Sequence, residues 1–206
     1  MPSRVFKLYL ASKSTRRQEL LSAMKLSFRV VSSAYHERGS SRVFPEILCM
    51  RHAAGKVLGA ILPKKARFVL GGDTIVWHQN RSLGKPRTRA QALQMLQSLS
   101  GKKHAVYTGL ALWDRKAGCM LVGCAKTDVW MRSASATWLR FYRDAVHSLD
   151  KAGAYAIQGR PKIVRKIRGS YSNVVGLPKE LLRKMLKEIG RKSDACKEPG
   201  PRRTIL

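Results

Sequence analysis

Leu8-Tyr9-Leu10-Ala11-Ser12-Lys13-Ser14-Thr15-Arg16-Arg17 passes from an apolar run into a polar one without a linker. Residues 5–11 read as a strand, and 16–25 as a helix carrying Leu20, Leu21 and Met24 inward. Thr15, with Gln18 three places on, fits a capping box at the junction. Arg16 and Arg17 then share the first helical turn with unpaired backbone N–H groups and the positive end of the helix dipole. Cations normally avoid that end. An anion seated between them explains the pattern, and phosphate is the usual one. A solvated basic helix start is the alternative.

Strand and helix continue to alternate outward from this point. Residues 28–33 read as a strand, and 46–61 place Ile47, Met50, Ala54, Val57 and Ile61 at helical spacing. Residues 67–77 read as a strand interrupted by Gly71-Gly72-Asp73. Thr88 and Gln91 open a helix that runs to about residue 98. Residues 104–113 and 119–131 form a predicted hairpin around Asp114-Arg115-Lys116-Ala117-Gly118. Ser133 is the expected cap of a helix running to about residue 145. Short strands are expected over 154–168, and a last helix after Pro178. This order predicts an α/β fold with a mixed sheet. Residues 1–190 make one domain, and 191–206 read as a basic, disordered tail.

Composition narrows the chemistry. Lys and Arg number 41 against 12 Asp and Glu, a formal net charge of +29. Such a field favours polyanions as substrates or partners without naming one. No segment reaches the roughly 20 apolar residues that span a bilayer, and the N-terminus lacks the pattern of a signal peptide. The expectation is a cytoplasmic protein with no membrane partner. Cys49, Cys119, Cys124 and Cys196 lack zinc-ligand spacing and read as reduced structural thiols. No motif for direct base readout is present, so no sequence-specific nucleic-acid binding is expected.

With so few acids, Asp73 in Gly71-Gly72-Asp73-Thr74 is conspicuous. A carboxylate placed among apolar strand residues needs a metal, a cation or a water to activate; a structural Asp accepting turn N–H groups is the alternative. Glu37 is a candidate second acid. Lys56 lies in a predicted helix among small residues, and Lys85 in the rigid turn Leu83-Gly84-Lys85-Pro86. With Arg16 and Arg17 they would make a site suited to a triphosphate. Gln158 can both donate to and accept from the edge of a base.

Taken in order, Leu10-Ala11-Ser12-x-Ser14-x-Arg16-Arg17, Gly72-Asp73-Thr74, Leu83-Gly84-Lys85-Pro86, Leu99-Ser100-Gly101…His104, the Asp150–Gly159 run and Val175-Gly176-Leu177-Pro178 resemble the Maf (septum-formation) nucleoside triphosphate pyrophosphatases, over about residues 5–190. The resemblance implies a twisted mixed sheet with flanking helices, in two lobes around a central cleft, similar to the inosine-triphosphate pyrophosphatases. It implies hydrolysis of a nucleoside triphosphate to the monophosphate and pyrophosphate with a divalent metal, Mg or Mn, and a homodimer. By position, Asp73 matches the general base and, with Glu37, the metal site. Ser12, Arg17, Lys56 and Lys85 match phosphate-binding groups. Arg16, Thr74 and Gln158 match the specificity positions and look like the dTTP/UTP branch. Rival readings are a pyrophosphatase for 7-methyl-GTP or another modified nucleotide, and a basic module binding nucleic acid or a division protein. The chain departs from the family at His147-Ser148, where Glu-Pro is usual, at Gly72, where Ala is usual, and in its net charge.

Overall fold

A computed structural model describes residues 7–37 and 43–195. Strand β1 (Lys7–Leu10) leads into helix α1 (Thr15–Ala23), and β2 (Ser27–Val30) into α2 (Pro45–Leu58). The long strand β3 (Phe68–His78) turns back through β4 (Arg81–Leu83), and α3 (Arg89–Leu99) follows. Strands β5 (Lys103–Asp114) and β6 (Cys119–Met131) form the predicted hairpin. Helix α4 (Ala136–Ala145), two single 3-10 turns over 148–154, β7 (Val164–Arg168), α5 (Tyr171–Val175) and α6 (Lys179–Ala195) complete the chain. The sheet has seven strands in the order β2-β1-β3-β5-β6-β7, with β4 beside β3. β1 runs parallel to β2 and β3, and the remaining pairs are antiparallel. This is the expected α/β architecture with a mixed sheet.

The two lobes come from one pair of long strands. Phe68 and Leu70 of β3, with Leu110 and Leu112 of β5, pack under α1 and α6 through Leu20, Leu21, Leu182, Met185 and Ile189. Farther along the same strands Val76 and Val106 join a separate core with Leu96, Leu99, Leu139 and Tyr142 of α3 and α4. Side chains two residues apart on a strand share a face, so Gly72, Thr74 and Thr108 lie on that face between the two cores. On the opposite face α2 packs Ala53 and Val57 against Val69 and Ala111.

Several local expectations are corrected. β3 runs unbroken through Gly71-Gly72-Asp73. The glycines serve close approach instead: a Cβ at Gly71 would lie 2.4 Å from the Ala53 carbonyl oxygen on α2, and one at Gly72 would lie 3.1 Å from Arg17 Nε. Ser14, not Thr15, caps α1, accepting from the Arg17 amide at 3.4 Å. Ser135, not Ser133, caps α4. Only β7 forms within 154–168, because the segment before it lies along the cleft rather than beside a strand. α6 carries the chain to Ala195, past residue 191 where the tail was expected; residues 196–206 lie outside the described residues. Among the described residues no helix is long and apolar enough to cross a membrane.

Candidate active site

The pleat of β3 sends consecutive side chains to two different structures. Asp73 points to the α2 side, where Lys56 Nζ donates to its Oδ1 at 2.7 Å. Thr74 points to the other side, where its hydroxyl accepts from Arg17 Nη2 at 2.9 Å. Asp73 is 8% exposed and Arg17 7%. Both line a cleft of about 1210 Å³, together with Ser12, Arg16, Glu37, Lys56, Thr74, Lys85 and Gln158. All nine residues singled out in the sequence therefore meet in one cavity.

Lys56 joins two acids. Its Nζ lies 2.6 Å from Glu37 Oε1 as well as 2.7 Å from Asp73 Oδ1, and it also donates to the Gly72 carbonyl at 3.3 Å. Partial burial alone would raise the Glu37 pKa. The hydrogen bond and charge of Lys56, with His52 and Arg17 nearby, hold it below its ordinary value. Glu37 is otherwise half-exposed, at the open side of the cluster.

Tyr35 and His52 hold that cluster in place, and nothing in the sequence analysis marked them. The Tyr35 hydroxyl and His52 Nδ1 are 2.8 Å apart. The Tyr35 ring lies over Gly55, where a Cβ would fall 2.3 Å from the ring. These contacts clamp the segment ending in Glu37 onto α2. Gly55 inside a helix was the available signal, since glycine there costs stability unless something must come close. Burial lowers the His52 pKa, against the opposing pull of Asp73 and Glu37.

Arg17 is a brace within the cavity wall. Nε donates to the Gly176 carbonyl at 2.8 Å, Nη1 to Ser12 Oγ at 2.9 Å and Nη2 to Thr74. Thr74 and Thr108 hydroxyls are 3.0 Å apart, and Thr108 donates to the Asn173 carbonyl at 3.0 Å. With Thr108's proton spent, Thr74 is the donor of the pair. Burial lowers the Arg17 pKa, Asp73 opposes it, and Arg16 adds to the lowering. The guanidinium thus ties the β1–α1 loop to β3 and to the end of α5.

Arg16 reaches across instead, donating to the Asp150 carbonyl at 3.3 Å. Lys85 is exposed on the turn after β4, fixed by a Gly153 amide bond to the Gly84 carbonyl at 3.1 Å. Gln158 is exposed at the rim. Eight lysines and arginines against four carboxylates line this one cavity, a balance that suits a polyphosphate.

A family model described as "Maf-like protein" matches residues 7–189. The chain belongs to the Maf-like protein family. Curated relatives agree over nearly their whole length. A dTTP/UTP pyrophosphatase of Clostridium botulinum (strain Hall) is 40% identical over 190 residues, covering 89% of this chain and 97% of the relative. One from Gloeobacter violaceus is 41% identical over 187 residues, covering 90% and 97%. One from Geobacter sp. (strain M21) is 42% identical over 172 residues, covering 83% and 89%.

The departures from the usual Maf pattern have structural readings. An alanine in place of Gly72 would press on Arg17 Nε at 3.1 Å and on Leu110 Cδ2 at 3.2 Å, so glycine leaves the brace room. His147 lines the cleft in a left-handed backbone conformation, φ 46°. Ser148 is buried and donates to the Arg143 carbonyl at 3.2 Å.

Proposed function

We propose that this Maf-like protein hydrolyses dTTP and UTP to the monophosphate and pyrophosphate. The observation that carries the reading is the Glu37–Lys56–Asp73 cluster, set on one wall of a cleft that is also lined by Ser12, Arg16 and Lys85. Names of relatives about 40% identical over most of both chains support the substrate.

In this reading water attacks a phosphorus of the α–β anhydride in line with the leaving oxygen. Asp73 orients the water and takes its proton. Lys56 is a mobile point charge and can turn from the carboxylates toward a phosphate oxygen. Arg16 and Lys85 neutralise charge on the leaving pyrophosphate, and Ser12, held by Arg17, donates to a phosphate oxygen. The Gln158 amide can pair with the imide edge shared by uracil and thymine. Thr74 acts on specificity by holding Arg17, since its own proton goes to Thr108.

The residues fit a divalent cation. Glu37 and Asp73 already bring one oxygen each within 2.7 Å of a single positive centre, Lys56 Nζ. Mg²⁺ is commonly held by one or two carboxylates completed by substrate phosphates. Among the described residues no group of three or more His, Cys, Asp and Glu is placed to hold a metal without such help. When bound, Mg²⁺ or Mn²⁺ supplies further charge compensation on the phosphates. A cytoplasmic homodimer is part of the same proposal.

A panel of nucleoside triphosphates including 7-methyl-GTP, with Mg²⁺ or Mn²⁺, scored for pyrophosphate release, tests the reading. dTTP and UTP are expected to lead. A lead for 7-methyl-GTP would overturn the specificity, and no release from any nucleotide would overturn the activity.

A further inference from the structure

Helix α2 approaches the sheet closely at two glycines. One is Gly71 under Ala53. The other is Gly109, where a Cβ would lie 2.4 Å from the carbonyl carbon of Cys49. Gly109 is paired across the hairpin with Cys124. The missing side chain at 109 thus lets Cys49 down onto the strand beside Cys124, and the two Sγ atoms stand 3.4 Å apart. Cys49 is fully buried, whereas Cys124 is partly exposed. Neither thiol takes part in the proposed hydrolysis. Lys56 lies two helical turns beyond Cys49, on the same face of α2.

We propose that Cys49 and Cys124 are a reversible redox site, oxidised by hydroperoxides to a disulfide that shifts α2 and slows the reaction through Lys56. The two thiols are chemically unequal. The contact between the two sulfurs, in which either can donate, lowers the Cys124 pKa, while that same contact and burial raise the Cys49 pKa. Cys124 is the accessible, more acidic partner, and the buried Cys49 thiol has one further contact, the Glu46 carbonyl at 3.2 Å. The Cys124 thiolate attacks a peroxide oxygen; the O–O bond breaks, an S–O bond forms, and hydroxide leaves to take up a proton. Cys49 sulfur then attacks the sulfenic sulfur. The S–S bond forms, the S–O bond breaks, and water leaves with the Cys49 proton. Overall two thiols and one hydrogen peroxide give one disulfide and two waters. A disulfide requires the sulfurs to close to about 2.05 Å. The α2 backbone already rests on Gly109, so closure moves the helix along or around its axis rather than inward.

The test treats the full chain with hydrogen peroxide, blocks residual thiols and maps the peptides. A linked peptide containing Cys49 and Cys124 is expected, with altered hydrogen exchange over residues 45–58. dTTP turnover, which rests on the proposed function, is expected to fall several-fold and to return with dithiothreitol. Cys124→Ser is expected to keep basal turnover and lose the peroxide response; Cys49→Ala is a second variant with the same expectation. Separate alkylation of the two residues after treatment, linkage through Cys119 or Cys196 instead, or a Cys124→Ser variant as sensitive as the parent would each overturn the site. A linked peptide with unchanged exchange and turnover would overturn the switch. A chain that hydrolyses no nucleotide fails the proposed function alone, because mapping and exchange still decide the redox site.

Discussion

Asp73 and Asp114 stand on neighbouring strands, β3 and β5, of one ladder, Asp114 at its end opposite Phe68 and Asp73 at its middle opposite Gly109. Both are buried and both face a cation, yet they are built for different ends. Asp114 is 0% exposed, and both of its oxygens are taken by Arg67, at 3.0 and 2.8 Å. The Lys116 and Ala117 amides add bonds to Oδ1 at 3.0 and 3.3 Å, closing the β5–β6 turn. Asp73 has a lysine on one oxygen, and that lysine is shared with Glu37. A planar guanidinium fork locks a carboxylate, whereas an ammonium on a flexible stem can leave it. In the proposed reading, burial and a cationic partner do not distinguish a working carboxylate from a structural one. The number of lone pairs already spoken for does.

Exchanging each acid for its amide breaks the comparison most sharply. Asp73→Asn is expected to lower turnover by about two to four decades, with a smaller loss of stability than at Asp114 because Lys56 keeps Glu37 as a partner. A variant keeping more than half of the parental rate would end the assignment of Asp73 as base. Asp114→Asn is expected to do the reverse. Removing one partner of a buried ion pair costs about 3–5 kcal/mol. Denaturant melts should show that loss, while turnover per folded molecule stays near the parental value.

A third buried group sharpens the contrast through pH. Burial, and His78 beside it, push the His104 pKa down to about 4, and Tyr155 holds its Nε2 at 2.8 Å. The unfolded chain binds this proton near pH 6.5 and the folded chain does not, so stability falls as pH drops from about 6.5 toward about 4. At most about 3 kcal/mol is at stake. His104→Gln should flatten that stretch of the stability curve, and an unchanged slope would assign the effect elsewhere.

Smaller effects belong at the cleft. Glu37→Gln leaves Asp73 as the single carboxylate on Lys56. It should raise the metal concentration needed for half-maximal activity more than it changes the rate at saturating metal. Gln158→Glu keeps the size but loses the amide donor, so the ratio of UTP to 7-methyl-GTP turnover should fall several-fold. An unchanged ratio would mean that this side chain, exposed at the rim, does not read the base.

The alternating order of elements and the hairpin were legible because periodicity and turn residues are local signals. So were the residues of the cleft, taken from their motifs, and the structure gathers them in one cavity. The break expected at Gly71-Gly72 was misread because a glycine pair in a strand looks alike whether it bends the chain or admits a neighbour. The neighbours, Ala53 and Arg17, are distant in sequence. The cap at Ser14 was missed by one residue, since Ser14 and Thr15 both carry a suitable hydroxyl and only backbone geometry separates them.

The sequence by itself determined the α/β order and which charged residues line the cleft, since each depends on residue type and near neighbours. The tertiary structure alone decided what each group touches. It made Arg17 a brace between Ser12, Thr74 and Gly176, and it made Lys56 the link between Glu37 and Asp73. It also clamped Glu37's segment with Tyr35 and set Cys49 against Cys124. Those pairings join segments far apart in the chain. They follow from how the strands register and how closely the helices seat on them, and residue pattern along a single segment does not encode either.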